Sequence, residues 1–360
     1  TTLDLGLDAR FFNDALGVTF DWYNRTTSDI LTTANLPATL GADAPYENMG
    51  TIQTKGWELA IDYRHTFKNG LHFGVTASVA DDKTEVTKWT YNTKIPSYGA
   101  TGWWDKSAYK EGMVLGDIWG LQFDRFLTED DFNADGSLKA GLPDQTKVFP
   151  AGYQFAPGDV LYKDLDNNGE IVKQTNTNDK GDLSVIGNAL PRLQFGLNLD
   201  AAWKGFDISM FFQGVAKRKL WAAGNQVLPG FTTGEPFYKG AEDYWTPENT
   251  DAFYPRPMDY KQSASGNYSV NDRYLLNMAY LRLKTFTVGY SLPKVWLSKF
   301  KVQGLRVYFT GENLFTIDGV KPAIDPEIGI RTASGKSDQR NFGRSYPYQK
   351  TVSFGIQLSL

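Results

Sequence analysis

The residues best able to do chemistry form a short acidic repeat, Asp164-x-Asp166-x-Asn168-Gly169-x-Ile171. Oxygen-bearing side chains at alternate positions, with glycine where the chain must turn sharply, make the first half of a calcium loop of EF-hand type. Glu170 would add its backbone carbonyl. The twelfth position is Thr175, where such a loop carries a bidentate Glu, so the spacing alone leaves the closing ligand open. A bound Ca2+ here would stiffen the loop and would not catalyse. The competing reading is an Asx-rich turn without metal.

Other candidates are less specific. Trp103, Trp104, Trp119, Trp221 and Trp245 fall in or beside long polar stretches. Aromatic faces stack on sugars and peptides, which makes all five candidate substrate contacts, Trp103, Trp104 and Trp119 foremost; for each the plainer role is to tie down long loops. Carboxylates cluster at Asp81-Asp82 and Glu129-Asp130-Asp131, but nothing fixes the separation that glycoside hydrolysis demands. Cysteine is absent and the histidines are two, His65 and His72, so thiolate chemistry is excluded and His-based catalysis has little to work with. No phosphate loop or nucleophile elbow occurs, and the chain reads as a non-enzyme. The net charge of −4 excludes a nucleic-acid footprint.

The elements that must position these residues are strands. Period-2 alternation marks strands near 2–12, 16–29, 51–67, 71–88, 191–203, 206–218, 277–292, 302–316 and 347–360. Each runs about 12–18 residues, against a mode of about 5–6 in globular sheets. A tilted membrane strand needs about 9–11. The last segment, from Gln349 to Leu360, is one amphipathic strand that must pair with another, because bare edges invite aggregation. Short connections at 12–15, 68–70, 204–205 and after Pro293 alternate with long ones at 30–50, 89–190, 219–276 and 317–346. Short turns at one end and long loops at the other are the pattern of an outer-membrane barrel. The extended piece Met113–Leu127 is placed inside the long external excursion. Mean hydropathy is −0.40, which a membrane barrel tolerates and a helical membrane protein does not. Trp22, Trp57, Trp203 and Trp296 lie in strands or near short turns, where interfacial anchoring is the plain role.

The expected fold is therefore all-β, a transmembrane antiparallel β-barrel. Nine spanning strands is an odd count, whereas bacterial single-chain barrels are even. Residues 1–360 are accordingly read as the C-terminal portion of a larger barrel, with 89–190 and 219–276 as long extracellular loop regions. Thr1-Thr2-Leu3-Asp4 already reads as strand, so the chain is expected to be a mature piece whose earlier strands precede it. The contrasting reading is a secreted β-rich glycan-binding protein or glycosidase.

Several segments, in order, resemble the SusC/RagA-like family of TonB-dependent outer-membrane transporters of Bacteroidetes. Asn48-Met49-Gly50 with Lys55-Gly56-Trp57-Glu58 looks like the family's N-x-G…K-G-W-E strand start. Gly158-Asp159-Val160-Leu161-Tyr162 through Ile171 is similar to its G-D-x-x-Y-x-D loop. Ile186-Gly187-Asn188-Ala189-Leu190-Pro191, Phe195-Gly196-Leu197-Asn198 and Trp203-Lys204-Gly205-Phe206-Asp207 follow. Tyr280-Leu281-Arg282-Leu283-Lys284 with Gly289-Tyr290-Ser291-Leu292-Pro293, then Gly311-Glu312-Asn313-Leu314-Phe315 and Asp325-Pro326-Glu327, complete the series.

The resemblance implies a 22-stranded barrel with an N-terminal plug that is absent from this chain. It implies TonB-dependent import of oligosaccharide or oligopeptide nutrients across the outer membrane, under a SusD-like lipoprotein lid. The TonB complex would act through the missing N-terminal part, and a dimer of transporter–lipoprotein pairs is allowed. Outer-membrane lipid and lipopolysaccharide are expected neighbours, the latter at Lys217-Arg218-Lys219, which otherwise is a solvated strand end. A siderophore- or cobalamin-type receptor is the alternative within the same barrel class. Alignment on Ile186-Gly187 points to Asp182 as the closing calcium ligand, with Asp179 as competitor.

Overall fold

The computed structural model describes residues 1–33, 45–90, 110–173, 181–222, 224–230, 237–258, 266–297, 302–321, 324–327, 332–333, 336–337 and 348–359. Nine long strands form one antiparallel sheet: β1 (Thr2–Phe11), β2 (Leu16–Thr33), β3 (Tyr46–Thr66), β4 (His72–Trp89), β9 (Arg192–Trp203), β10 (Phe206–Lys217), β13 (Tyr280–Ser291), β14 (Gly304–Asp318) and β17 (Thr351–Ser359). Neighbours in the sheet follow one another along the chain, so the sheet is a meander. All nine coincide with the strands expected from the alternation. β2 and β3 extend further than expected, to Thr33 and from Tyr46, which shortens the 30–50 connection.

Shorter strands fill the long excursions. Between β4 and β9 lie β5 (Asp117–Gly120), β6 (Phe123–Phe126), β7 (Val160–Tyr162) and β8 (Ser184–Asn188). β5 pairs with β8 and β6 with β7, outside the nine-stranded sheet, so the Met113–Leu127 piece does belong to an excursion. β11 (Lys219–Leu220) pairs with β12 (Leu276–Asn277), and β15 (Thr332–Ala333) with β16 (Lys336–Ser337).

Register keeps the two faces of the sheet apart across all its strands. Phe354, Phe309, Val288, Ile208, Ala201 and Phe73 are successive partners in one row. The adjacent row is Ser353, Thr310, Thr287, Ser209, Asp200 and Gly74. Because side chains alternate along a strand, these rows give the sheet an apolar face and a polar face; towards the long excursions the apolar face gives way to Lys55, Asp81, Lys83 and Glu85. The apolar face is bare, with Phe354 82% exposed and Ile356 75%. The polar face is knit by cross-strand pairs, such as Thr54–Thr84 at 2.8 Å and Arg10–Asp62 at 2.8 Å.

The turns at one end are tight. Lys204-Gly205, both at positive φ, join β9 to β10 as a two-residue hairpin whose twist matches the strands. A single helical turn, α1 (Lys294–Leu297), links β13 to β14 after Pro293. Among the described residues no helix is long and apolar enough to cross a membrane. The packed cores sit at the opposite end. One joins Ile118, Leu220, Trp221, Tyr254, Tyr274 and Met278 from both long excursions, and a second joins Leu121, Val160, Tyr162, Ile171, Leu183 and Trp245. The described residues of these two excursions thus form a folded cap on one end of the sheet.

Candidate functional site

The acidic repeat hangs between two buried anchors. Tyr162, 1% exposed at the end of β7, precedes it, and Ile171, fully buried in the second core, ends it. Between them the chain reverses through Asn167 and Gly169 at φ 58 and 86, a conformation that glycine adopts without strain. Local hydrogen bonds shape the turn. Gly169 N–H donates to Asp164 Oδ2 at 2.8 Å, Asn168 N–H to Asp166 Oδ1 at 3.1 Å, and Glu170 N–H to Asn168 Oδ1 at 2.7 Å. The Glu170 carboxylate turns away and pairs with Lys147.

Asp182 closes the group from the far side of the loop. It is fully buried and accepts Leu165 N–H and Val172 N–H, each at 2.8 Å. Carboxylate oxygens of Asp164, Asp166 and Asp182 lie within 4.8 Å of one another. Asp164 Oδ1 is buried with no hydrogen-bond donor. Burial pushes the Asp182 carboxyl above its ordinary pKa, and the charges of Asp166 and Asp164 add to that. The Gly169 amide, by contrast, holds Asp164 below its ordinary value. Among the described residues no Lys or Arg forms an ion pair with these three carboxylates.

This set fits a hard divalent cation. Two oxygens each about 2.4 Å from one ion can be at most about 4.8 Å apart, the span found here. The orphaned Asp164 oxygen is the acceptor a cation would satisfy. Asp179 and Thr175 lie outside the described residues, as do Trp103 and Trp104.

The structure sends other sequence candidates to packing. Trp119 is half-buried against the second core, and Trp221 and Trp245 are 2% and 7% exposed. Asp81 pairs with Arg192 at 2.5 Å. Asp131 caps a 3-10 turn (Glu129–Asp131) and holds Arg125 by two hydrogen bonds of 2.6 and 2.7 Å. Arg218 does not join a solvated basic cluster. It turns inward and donates to the carbonyls of Ala189 and Pro326.

Two anchors escaped sequence reasoning. Asp159, 0% exposed, accepts from Arg256 Nε at 2.8 Å, Asn267 Nδ2 at 2.9 Å, the Tyr153 hydroxyl at 2.8 Å and Ala156 N–H at 2.9 Å. It therefore ties one long excursion to the other. Arg282, on the polar face of β13 and 3% exposed, pairs with Asp325 at 2.8 Å and Glu327 at 3.3 Å, while Lys284 reaches Glu327 at 2.7 Å. The three acids, Asp159, Asp325 and Glu327, had been visible only as members of short motifs. Their basic partners were not assigned, because nothing local couples residues so far apart.

A family model described as TonB dependent receptor-like, beta-barrel, matches residues 1–158. TonB-dependent receptor P3 of Formosa agariphila is 28% identical over 368 residues, covering 99% of this chain and 33% of that protein. TonB-dependent receptor SusC of Bacteroides thetaiotaomicron is 23% identical over 369 residues, covering 100% and 31%. The solved RagAB peptide transporter shares the fold, with a TM-score of 0.68 at 20% identity over 99% of this chain and 34% of that one. The chain spans about a third of the length of these relatives. The resemblance and the β-barrel fold expected from the sequence motifs are both borne out.

Proposed function

We propose that this chain, related along its whole length to SusC-type TonB-dependent receptors, is part of an outer-membrane importer of oligosaccharide or oligopeptide nutrients. The observation that carries the reading is the nine-stranded meander with one bare apolar face, one polar face and a packed cap at a single end. In lipid every backbone polar group must be paired, so such a sheet is stable there only within a closed barrel. The apolar face would meet lipid and the polar face the lumen. The cap would form the mouth, beneath a SusD-like lipoprotein. Energy would come from the inner membrane through TonB, acting on a plug supplied by the rest of the polypeptide.

Asp164, Asp166 and Asp182 would hold a Ca2+, with the Glu170 carbonyl as a further ligand. The ion would neutralise three crowded carboxylates and fix the loop against the cap.

The test is uptake of labelled oligosaccharides and oligopeptides by cells carrying the full transporter, with and without TonB. TonB-dependent accumulation, and recovery of a lipoprotein on gentle detergent extraction, would support the reading. Uptake that survives loss of TonB would overturn it.

A further inference from the structure

Where the second excursion returns to the sheet, its last residues meet Phe253 and the segment that follows β14 around a cavity of about 120 Å³. Pockets for whole small molecules measure about 300–1,000 Å³, so this one has room for a single functional group. Arg273, Tyr274, Asn277 and Lys321 line it with Phe253 and Gly319, and no Asp or Glu is among the described residues of its lining.

Two cations meet here without a counterion. Arg273 is half-buried, with its guanidinium 4.3, 4.9 and 5.5 Å from the ring centres of Phe123, Phe126 and Phe253. It donates through Nε to the Phe253 carbonyl at 2.9 Å and through Nη2 to the Ala252 carbonyl at 2.5 Å. These contacts fix the guanidinium in place but do not neutralise it, and a charge drawn out of water is ordinarily paired. Lys321 is exposed, with Nζ 5.7 Å from the centre of the Phe253 ring. Among the described residues neither cation forms an ion pair. The acids beside them in sequence turn to backbone amides: Asp272 accepts Phe123 N–H at 2.8 Å and Asp318 accepts Val320 N–H at 3.1 Å.

Neutral donors complete the lining. The Tyr274 hydroxyl is buried with no hydrogen-bond partner, an orphan that a bound acceptor would satisfy. Burial pushes its pKa well up, with Arg273 as an opposing charge, so it keeps a proton to donate. Asn277 uses Oδ1 to accept Ala279 N–H at 3.3 Å, which leaves Nδ2 as a donor. Gly319 keeps the space beside that amide open: an added Cβ would lie 3.4 Å from Asn277 Nδ2 and near no other atom within 4 Å.

We propose that this cavity binds a doubly charged oxoanion, a sulfate or phosphate group, held by Arg273 and Lys321 with the Asn277 amide and the Tyr274 hydroxyl as neutral donors. Two cations and no acid in the lining favour two negative charges over one. The site does not depend on the import reading, and uptake indifferent to TonB would leave it standing.

Titration calorimetry on the full-length protein in non-ionic detergent, at ionic strength fixed with NaCl, tests it with sodium sulfate, inorganic phosphate and sodium acetate as probes. Sulfate and phosphate should bind at one site, roughly tenfold or more above acetate, the worth of one charge-assisted hydrogen bond. Lys321→Gln, at an exposed position, should weaken sulfate by roughly the same factor. Gly319→Leu, also exposed, fills the cavity without changing charge and should abolish binding. Glucose 6-sulfate, with glucose as its control, separates the two sources of such a group. Affinity at or above that of sulfate assigns the site to a group carried on a larger molecule, lower affinity assigns it to the free ion, and both support an oxoanion site. Sulfate and phosphate bound no more tightly than acetate, or bound equally by both variants, would overturn the proposal.

Discussion

Asp159→Ala should detach the two long excursions from each other while leaving the sheet intact. Asp159 is fully buried and is the shared acceptor for Arg256, Asn267, Tyr153 and the Ala156 amide. Removing one partner of a buried ion pair costs about 3–5 kcal/mol, because the remaining charge stays desolvated. Each further orphaned donor would cost about 1–3 kcal/mol, but these penalties overlap, and water entering the space left by the carboxylate relieves part of them. The expected net loss is about 3–5 kcal/mol in local opening, or roughly 10²- to 4 × 10³-fold faster exchange at about 1.4 kcal/mol per tenfold. Hydrogen–deuterium exchange of the full-length protein reads this at the Val160 amide, which donates to Asn267 Oδ1, and at the Arg256 amide, which donates to the Gly158 carbonyl. Strands β9 and β10 serve as the internal control. Arg256→Ala should reproduce most of the effect, and the double variant should cost less than the sum of the two. Exchange changed less than threefold at both amides, or raised equally in the sheet, would refute the reasoning.

Gly158→Ala should loosen the same junction by another route, since Gly158 sits at φ 91 and an added Cβ would lie 2.5 Å from the Trp245 ring; a lowered cap-unfolding temperature with an unchanged barrel transition is the expected signature. Chelation of calcium should speed proteolysis within 158–187, and Asp164→Ala with Asp166→Ala should remove that response while the barrel stays heat-resistant; equal cleavage with and without calcium would count against the metal. Arg125 holds the Asp131 carboxyl down to about 2, below its ordinary 3.8. Its contribution is therefore complete above pH 3.8 and lost as pH falls towards 2, so exchange at 125–132 should rise across that window and Asp131→Asn should flatten the rise.

The strands were legible because alternation repeats over a dozen positions and the turns between them use residues suited to left-handed backbone, as at Lys204-Gly205. The acidic loop was legible for a related reason: its hydrogen bonds span two to five residues, so sequence spacing and geometry are nearly the same thing. Asp182 required more. It lies 17 residues from Leu165, whose amide it accepts, and only the order of neighbouring motifs located it. The Asp159–Arg256 pair spans 97 residues and left no local trace. Trp221 and Trp245 take the plainer of their two expected roles, tying the excursions together, but which core each joins was not legible, because a polar neighbourhood in sequence says nothing about a hydrophobic core assembled between two excursions. Arg218 looked solvated for the same reason.

That cap core has a consequence for assembly order. The excursion from Trp89 to Arg192 must return to a strand adjacent to the one it left, closing a loop of about 100 residues at an entropic cost of about 4 kcal/mol. The cores that offset this cost draw on segments from two separate excursions, so neither excursion can complete its packing alone. The cap should consequently fold late, after β4, β9, β10 and β13 have zipped side by side. Assembly of the sheet, and not the sequence of the loops, would then set when the cap acquires its shape.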